Sequence, residues 1–142
     1  MKIRVLSVGK DKGPTAELAE EYAGRIRRSA ELTLLELRAE GPEREAGTLL
    51  GKIRGELWVL DERGTLLGST QLSQRLEKLR DTAQELTLCI GGDEGLASRV
   101  REEAHFVWSL SPLTLPHRLA RVIVLEQLYR AFEILRGAPY HK

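Results

Sequence analysis

Apolar residues fall along this chain in two rhythms, short continuous runs and four-residue spacings, and their alternation predicts strands separated by helices. Lys2–Val8 is rich in branched residues and stops at Gly9, as expected of a buried strand that passes into a loop over 10–14. In residues 15–29, Leu18, Tyr22 and Ile26 recur at helical spacing with Ala19 and Ala23 beside them, which predicts one apolar helix face. Residues 32–37 read as a second strand. The stretch 39–55 mixes Gly, Glu and Arg around a small apolar centre at Leu49, Leu50 and Ile53, so a loop followed by a short helix is expected.

Residues 56–60 predict a third strand closed by a turn at 61–64, after which Ser69 or Thr70 can cap a helix with Leu72, Leu76 and Leu79 on one face. Leu86–Ile90 is a fourth strand, 91–95 a glycine turn, 97–103 a short helix and 106–110 a fifth strand. Pro116 opens the longest helix, to about Leu135. Strands alternating with helices imply an α/β fold with a largely parallel sheet flanked by helices, because parallel neighbours need crossover connections. With no repeat or linker in the pattern, 1–142 reads as a single domain. Ligands of such sheets bind beyond the carboxyl ends of the strands, here near Leu60 and Asp61, the 91–95 turn and the 109–117 segment.

Composition narrows this picture only in places. A chain of 142 residues, 42% hydrophobic, can bury the core of one domain. Its 22 basic and 21 acidic side chains nearly cancel, so any surface for nucleic acid must be local. Arginines do gather, at Arg25, Arg27 and Arg28 and again at Arg118, Arg121, Arg130 and Arg136, although the first group equally suits a helix C-terminus. The single Cys89 lies in an apolar run, which excludes an intramolecular disulfide framework and fits a buried thiol in a reducing cytoplasm. No apolar run approaches membrane-spanning length and the N-terminal run is too short for a signal peptide, so a soluble cytoplasmic protein without a membrane partner is expected.

Chemistry concentrates in three places. Gly91-Gly92-Asp93-Glu94-Gly95 joins a strand to a helix, where glycines admit unusual backbone angles and let the main chain approach a ligand, although a plain structural turn needs the same residues. The spacing is neither a dinucleotide fingerprint nor a P-loop, so a dinucleotide-binding reading lacks its glycines and its ribose-binding acid. The segment Ser109-Leu110-Ser111-Pro112-Leu113-Thr114-Leu115-Pro116-His117 keeps more leucines than a surface loop should. Such a loop can sheathe an adenine, with backbone groups on its edge and leucines on its faces, or it can pack against another subunit. On the last helix Glu126 and Arg130, and likewise His117 and Arg121, stand four apart. Taken singly, an ion pair or a helix-start histidine accounts for each.

Together these pieces resemble the RlmH family of SPOUT methyltransferases: Leu88 to Leu96 around the glycine turn, Trp108 to His117, Arg121-Val122, Glu126 to Ala131 and the terminal Pro139-Tyr140-His141-Lys142. The resemblance is dense in the C-terminal half and looser at Val5 to Gly9. It implies a SPOUT domain with a C-terminal trefoil knot, a homodimer with the active site at the subunit interface, and no metal. It also implies S-adenosylmethionine as cofactor, held by Leu60, Gly91, Leu110, Ser111, Pro112, Leu113, Thr114 and Leu115. The implied substrate is a pseudouridine of large-subunit rRNA, methylated at N3 on the assembled ribosome. In this reading His141 serves as base or substrate positioner, Tyr140 hydrogen-bonds or stacks in an ordered tail that closes over the site, His117 orients the loop and Arg121 contacts RNA phosphate. Two departures stand out, a segment at 39–56 shorter than in typical members and Asp93 where proline is common. The competing readings are a SPOUT enzyme with another rRNA or tRNA target and a ribosome-binding module without catalysis.

Overall fold

In the computed structural model, which describes residues 1–142, β1 (Lys2–Val8) runs between β2 (Glu31–Leu37) and β4 (Leu86–Ile90). On the far side of β4 lie β3 (Glu56–Leu66) and then β5 (Phe106–Ser109), so the order across the sheet is β2-β1-β4-β3-β5 and every pairing is parallel. The central strand β4 is buried at all five positions, as expected of a strand covered on both faces, and its one hydroxyl, on Thr87, is satisfied by the backbone of Arg54.

Five helices supply that cover: α1 (Pro14–Ile26), α2 (Pro42–Lys52), α3 (Ser69–Asp81), α4 (Ser98–Glu103) and α5 (His117–Leu135). Because side chains alternate along a strand, Ile3 and Val5 face one helical layer while Leu6 and Val8 face the other. The first layer packs Ala19, Ala23 and Ile26 of α1, Leu72, Leu76 and Leu79 of α3 and Val124, Leu125 and Leu128 of α5 against Trp58, Leu86 and Leu88. The second layer is thinner, with Ala46 and Leu49 of α2 and Val100 of α4 closing over Leu57, Val59 and Cys89. No helix is long and apolar enough to cross a membrane.

Three local expectations need correcting. The buried stripe of α1 is made by its alanines and Ile26, and Leu18 is 41% exposed, since small side chains let α1 approach α5 closely. β3 does not end at Leu60: Leu60 and Thr65 both register with Trp108, so 61–64 leaves the pairing as a bulge and the strand resumes. Gly64 is needed there, because a Cβ on it would lie 2.5 Å from the Val107 carbonyl oxygen. Finally, α3 is capped at Gly68, whose N–H donates to Gln71 Oε1 at 2.8 Å, while Ser69 Oγ donates to Gln127 Oε1 at 2.6 Å and ties α3 to α5.

Candidate active site

Where β3, β4 and β5 deliver their chains to the same end of the sheet, a cleft of about 680 Å³ opens. The volume is that of a typical small-molecule site. Leu60, Gly91, Leu110, Ser111, Leu113, Thr114 and Leu115 line it, and Pro112 of the expected set does not. Apolar walls from Leu60, Ile90, Leu96, Leu110 and Leu115 alternate with exposed main chain, an arrangement suited to a flat heteroaromatic ring.

The glycine turn owes its composition first to itself. A Cβ on Gly91 would come 2.6 Å from the carbonyl carbon of Gly95, and Gly95 sits at φ +76. An antiparallel bridge between Gly92 and Gly95 closes the turn. Gly91 therefore permits the turn to fold back on its own backbone, the structural requirement that the sequence offered for these glycines beside ligand approach.

Hydroxyls in the next loop are engaged in holding its shape. Thr114 Oγ1 donates to Glu62 Oε2 at 2.6 Å, Ser111 Oγ accepts the Leu113 N–H at 3.0 Å, and Ser109 Oγ lies 3.0 Å from the carbonyl oxygens of Glu62 and Ser111. Leu113 is left 72% exposed at the mouth.

Sequence reasoning did not single out the charges on the cleft wall. Asp61 receives Arg63 at both carboxylate oxygens, at 3.1 and 2.8 Å, and its side chain is 9% exposed. Arg63 holds this carboxyl below the ordinary aspartate value, its hydrogen bond outweighing desolvation, and Arg101 adds a second cation at 3.8 Å. The strand-end position of Asp61 was legible, but the 61–64 bulge that folds Arg63 back onto it was not.

His117 and Arg121 diverge in spite of their spacing. His117 Nδ1 stands 2.9 Å from Asp93 Oδ1 and joins the start of α5 to the glycine turn, with Gly9 beside its other ring nitrogen. Arg121 is 6% exposed, with guanidinium nitrogens 3.4 Å from Glu36 Oε1 and 3.9 Å from Asp11 Oδ2. A buried guanidinium already facing two carboxylates presents no edge to an RNA phosphate, and the structure corrects that expectation. Arg118, half exposed about one turn earlier on α5, also reaches Asp11, at 3.6 Å.

The tail is ordered, but it does not cover this cleft. Tyr140 packs on Tyr129 with ring centroids 4.7 Å apart and donates to Glu126 Oε1 at 3.1 Å. Desolvation, with help from Glu126, pushes the Tyr140 phenol up to about 12. His141 Nδ1 lies 3.1 Å from Arg130 Nη1. Neither Tyr140 nor His141 lines the cleft. At 1.5 Å per helical residue, Arg130 is roughly 20 Å along α5 from His117.

Over residues 1–141 the chain matches the family described as "Predicted SPOUT methyltransferase". The ribosomal RNA large subunit methyltransferase H of Anaeromyxobacter sp. (strain K) is 43% identical, with 100% of both chains covered. The protein of that name from Cereibacter sphaeroides (strain ATCC 17025 / ATH 2.4.3) is 38% identical over 100% of this chain and 99% of its own. Among solved structures, a methylase family protein from Haemophilus influenzae Rd KW20 superposes with a TM-score of 0.57 at 11% identity, covering 99% of this chain and 70% of that one. The SpoU methyltransferase AviRb from Streptomyces viridochromogenes gives 0.51 at 15% identity, over 96% of this chain and 61% of its own. At such identities these two likenesses speak for the fold alone. The full-length match and the identity to its relatives show that the chain belongs to the SPOUT methyltransferase family, in the group of ribosomal RNA large subunit methyltransferase H, and is a methyltransferase.

Proposed function

We propose that the protein transfers the methyl group of S-adenosylmethionine to N3 of a pseudouridine in large-subunit rRNA, on assembled ribosomes in the cytoplasm. The observation that carries the reading is the cleft itself, with its leucine walls, exposed main chain and loop hydroxyls committed to holding the loop's shape. Those features fit the adenine of the cofactor, with Leu60, Leu110 and Leu115 on its faces and the main chain of Gly91 and of the loop from Leu110 to Leu115 on its edge. When bound there, the cofactor supplies an electrophilic methyl on a sulfonium. We assign the threading of that loop to the trefoil knot of the family.

A homodimer completes the site in this reading. Leu119 and Ile123, one turn apart on α5, are 47% and 37% exposed, and Leu18 of α1 is 41% exposed. Pairing two copies of α5 in antiparallel fashion across these residues sets the tail of one copy beside the His117 end of the other. His141 and Tyr140 then meet the substrate base at the partner's cleft, while Arg118, with its side chain 53% exposed, takes the phosphate contact that the buried Arg121 cannot. Methyl transfer to a ring nitrogen demands alignment of donor with acceptor and loss of the nitrogen's proton.

The test is transfer of labelled methyl from S-adenosylmethionine to ribosomes that carry unmethylated pseudouridine, with isolated rRNA and tRNA in parallel and the product mapped by mass. N3-methylpseudouridine in the large subunit is the expected product. Label at another nucleotide overturns the target, and label on tRNA overturns the substrate class.

A further inference from the structure

We propose that Arg130 fixes His141 as the Nε2–H tautomer, so that the imidazole meets the substrate as a hydrogen-bond donor and is not the base that removes its ring proton. This deepens the reading above and rests on it in one respect, the placement of the tail against the substrate. The tautomer follows from geometry alone.

Arg130 Nη1 lies 3.1 Å from His141 Nδ1. A guanidinium offers only donors and does not deprotonate, so the nitrogen facing it must supply a lone pair. Glu126 secures that state. Its Oε1 accepts Arg130 Nε at 2.9 Å and Nη2 at 2.6 Å, which raises the basicity of Arg130 further and fixes the direction of its remaining Nη1. The same oxygen accepts the Tyr140 hydroxyl, while Oε2 accepts Gln127 Nε2 at 2.7 Å. One carboxylate thereby orients both residues that flank the imidazole.

Arginines also stack on the rings that hold the tail. Arg130 lies over the Tyr140 ring at 4.8 Å, and Arg25 lies over the rings of Tyr22 and Tyr129 at 5.2 and 5.5 Å. A second proton on the ring would turn Nδ1 into a donor aimed at a donor. A neutral imidazole carries one proton, and with Nδ1 accepting it resides on Nε2.

A donor is useful to this chemistry. The acceptor nitrogen is an imide flanked by two carbonyls, and loss of its proton to water spreads negative charge over both oxygens. Nε2–H bonded to one of those oxygens stabilises the anion. The nitrogen's electron pair then forms the new N–C bond while sulfur retains the pair of the broken C–S bond, so the sulfonium charge is neutralised and one proton is released to solvent. Glu126 and Arg130 are positioning residues for His141.

Two measurements on the full-length protein test this. In nitrogen-15 spectra of the imidazole at neutral pH, His141 is expected to show an unprotonated Nδ1 and a protonated Nε2, and Arg130→Met to remove that preference. In the methyl-transfer assay His141→Gln, whose amide can donate but cannot take a proton, is expected to stay within about tenfold of the unsubstituted protein, with His141→Ala a further ten to a hundredfold slower, on the order of one charge-assisted hydrogen bond. A protonated Nδ1, or a Gln variant as slow as the Ala variant, overturns the proposal. If the unsubstituted protein transfers no methyl to any RNA, the reaction reading fails and the substrate-donor role goes with it, while the nitrogen spectrum still decides the tautomer.

Discussion

Arg121 and Glu36 lie 85 residues apart in the chain and 3.4 Å apart in the fold, and Asp11 completes a buried group of charges where β1, β2 and α5 converge. Removing Arg121 takes away the buried cation between these carboxylates and leaves Asp11 only the half-exposed Arg118 as a cationic partner. Arg121→Ala should therefore lower unfolding stability by about 3–5 kcal/mol, whereas Arg118→Ala, at a half-exposed pair, should cost less than about 1 kcal/mol. Urea denaturation of the two variants decides this. A stable Arg121→Ala protein that lost only RNA affinity would reverse our account of the residue.

Gly91→Val should disturb folding and cofactor binding together. The added Cβ would meet the carbonyl carbon of Gly95 at 2.6 Å, and backbone inside a closed turn has nowhere to retreat. Thermal melting beside calorimetric titration with S-adenosylmethionine is the measurement. A melt like that of the parent with binding abolished would show instead that the ligand, and not the turn, requires the glycine.

Asp61 should give the protein an acid-sensitive component of stability. Its pKa in the folded state is depressed below the ordinary 3.8, chiefly by the Arg63 hydrogen bond, so the stabilisation is full above the unfolded-state value and is lost as pH falls through the folded one. The difference in urea midpoint between the parent and Asp61→Asn should accordingly be constant near neutrality and shrink on acidification below about pH 4. A difference that grew in acid would contradict the sign.

Cys89 should resist alkylation. Burial in the central strand pushes its thiol up to about 12, so almost no thiolate exists at neutral pH and none of it is accessible. Iodoacetamide should label the native protein at the rate of unfolding and the urea-unfolded chain at the rate of an ordinary thiol, as mass spectrometry can follow. Rapid native labelling would show that β4 is less protected than its burial indicates.

The parts of this structure that were legible in the sequence are those dictated by local pattern. β1 and β4 begin and end where their apolar-rich runs do, because a strand buried on both faces admits few polar side chains, here Ser7 and Thr87. The cleft was legible too, since Leu60, the glycine turn and the leucine-bearing loop are each composed unlike ordinary connections. What could not be read depends on contacts between distant segments. The fate of Arg121 is set by Asp11 and Glu36, and the continuation of β3 beyond its polar bulge is set by Trp108 on β5. The tail is a different case: its residues were identifiable, but their docking on α5, a helix length from the cleft in the same chain, comes from Glu126, Arg130 and Tyr129 acting jointly.

The strand order carries a consequence for how the chain is made. During synthesis β1, β2 and β3 emerge first, yet β3 has no partner among them, because the strand that belongs between β1 and β3 is β4, at Leu86–Ile90. A nascent chain shorter than about 90 residues can pair β1 with β2 and must leave β3 with both edges open, an invitation to wrong partners. Vectorial synthesis therefore gives this protein no head start. Its sheet has to wait for a late strand to be inserted between two early ones, so refolding should be slow for a chain of this size, and its exposure to aggregation greatest just before Cys89 and its neighbours leave the ribosome.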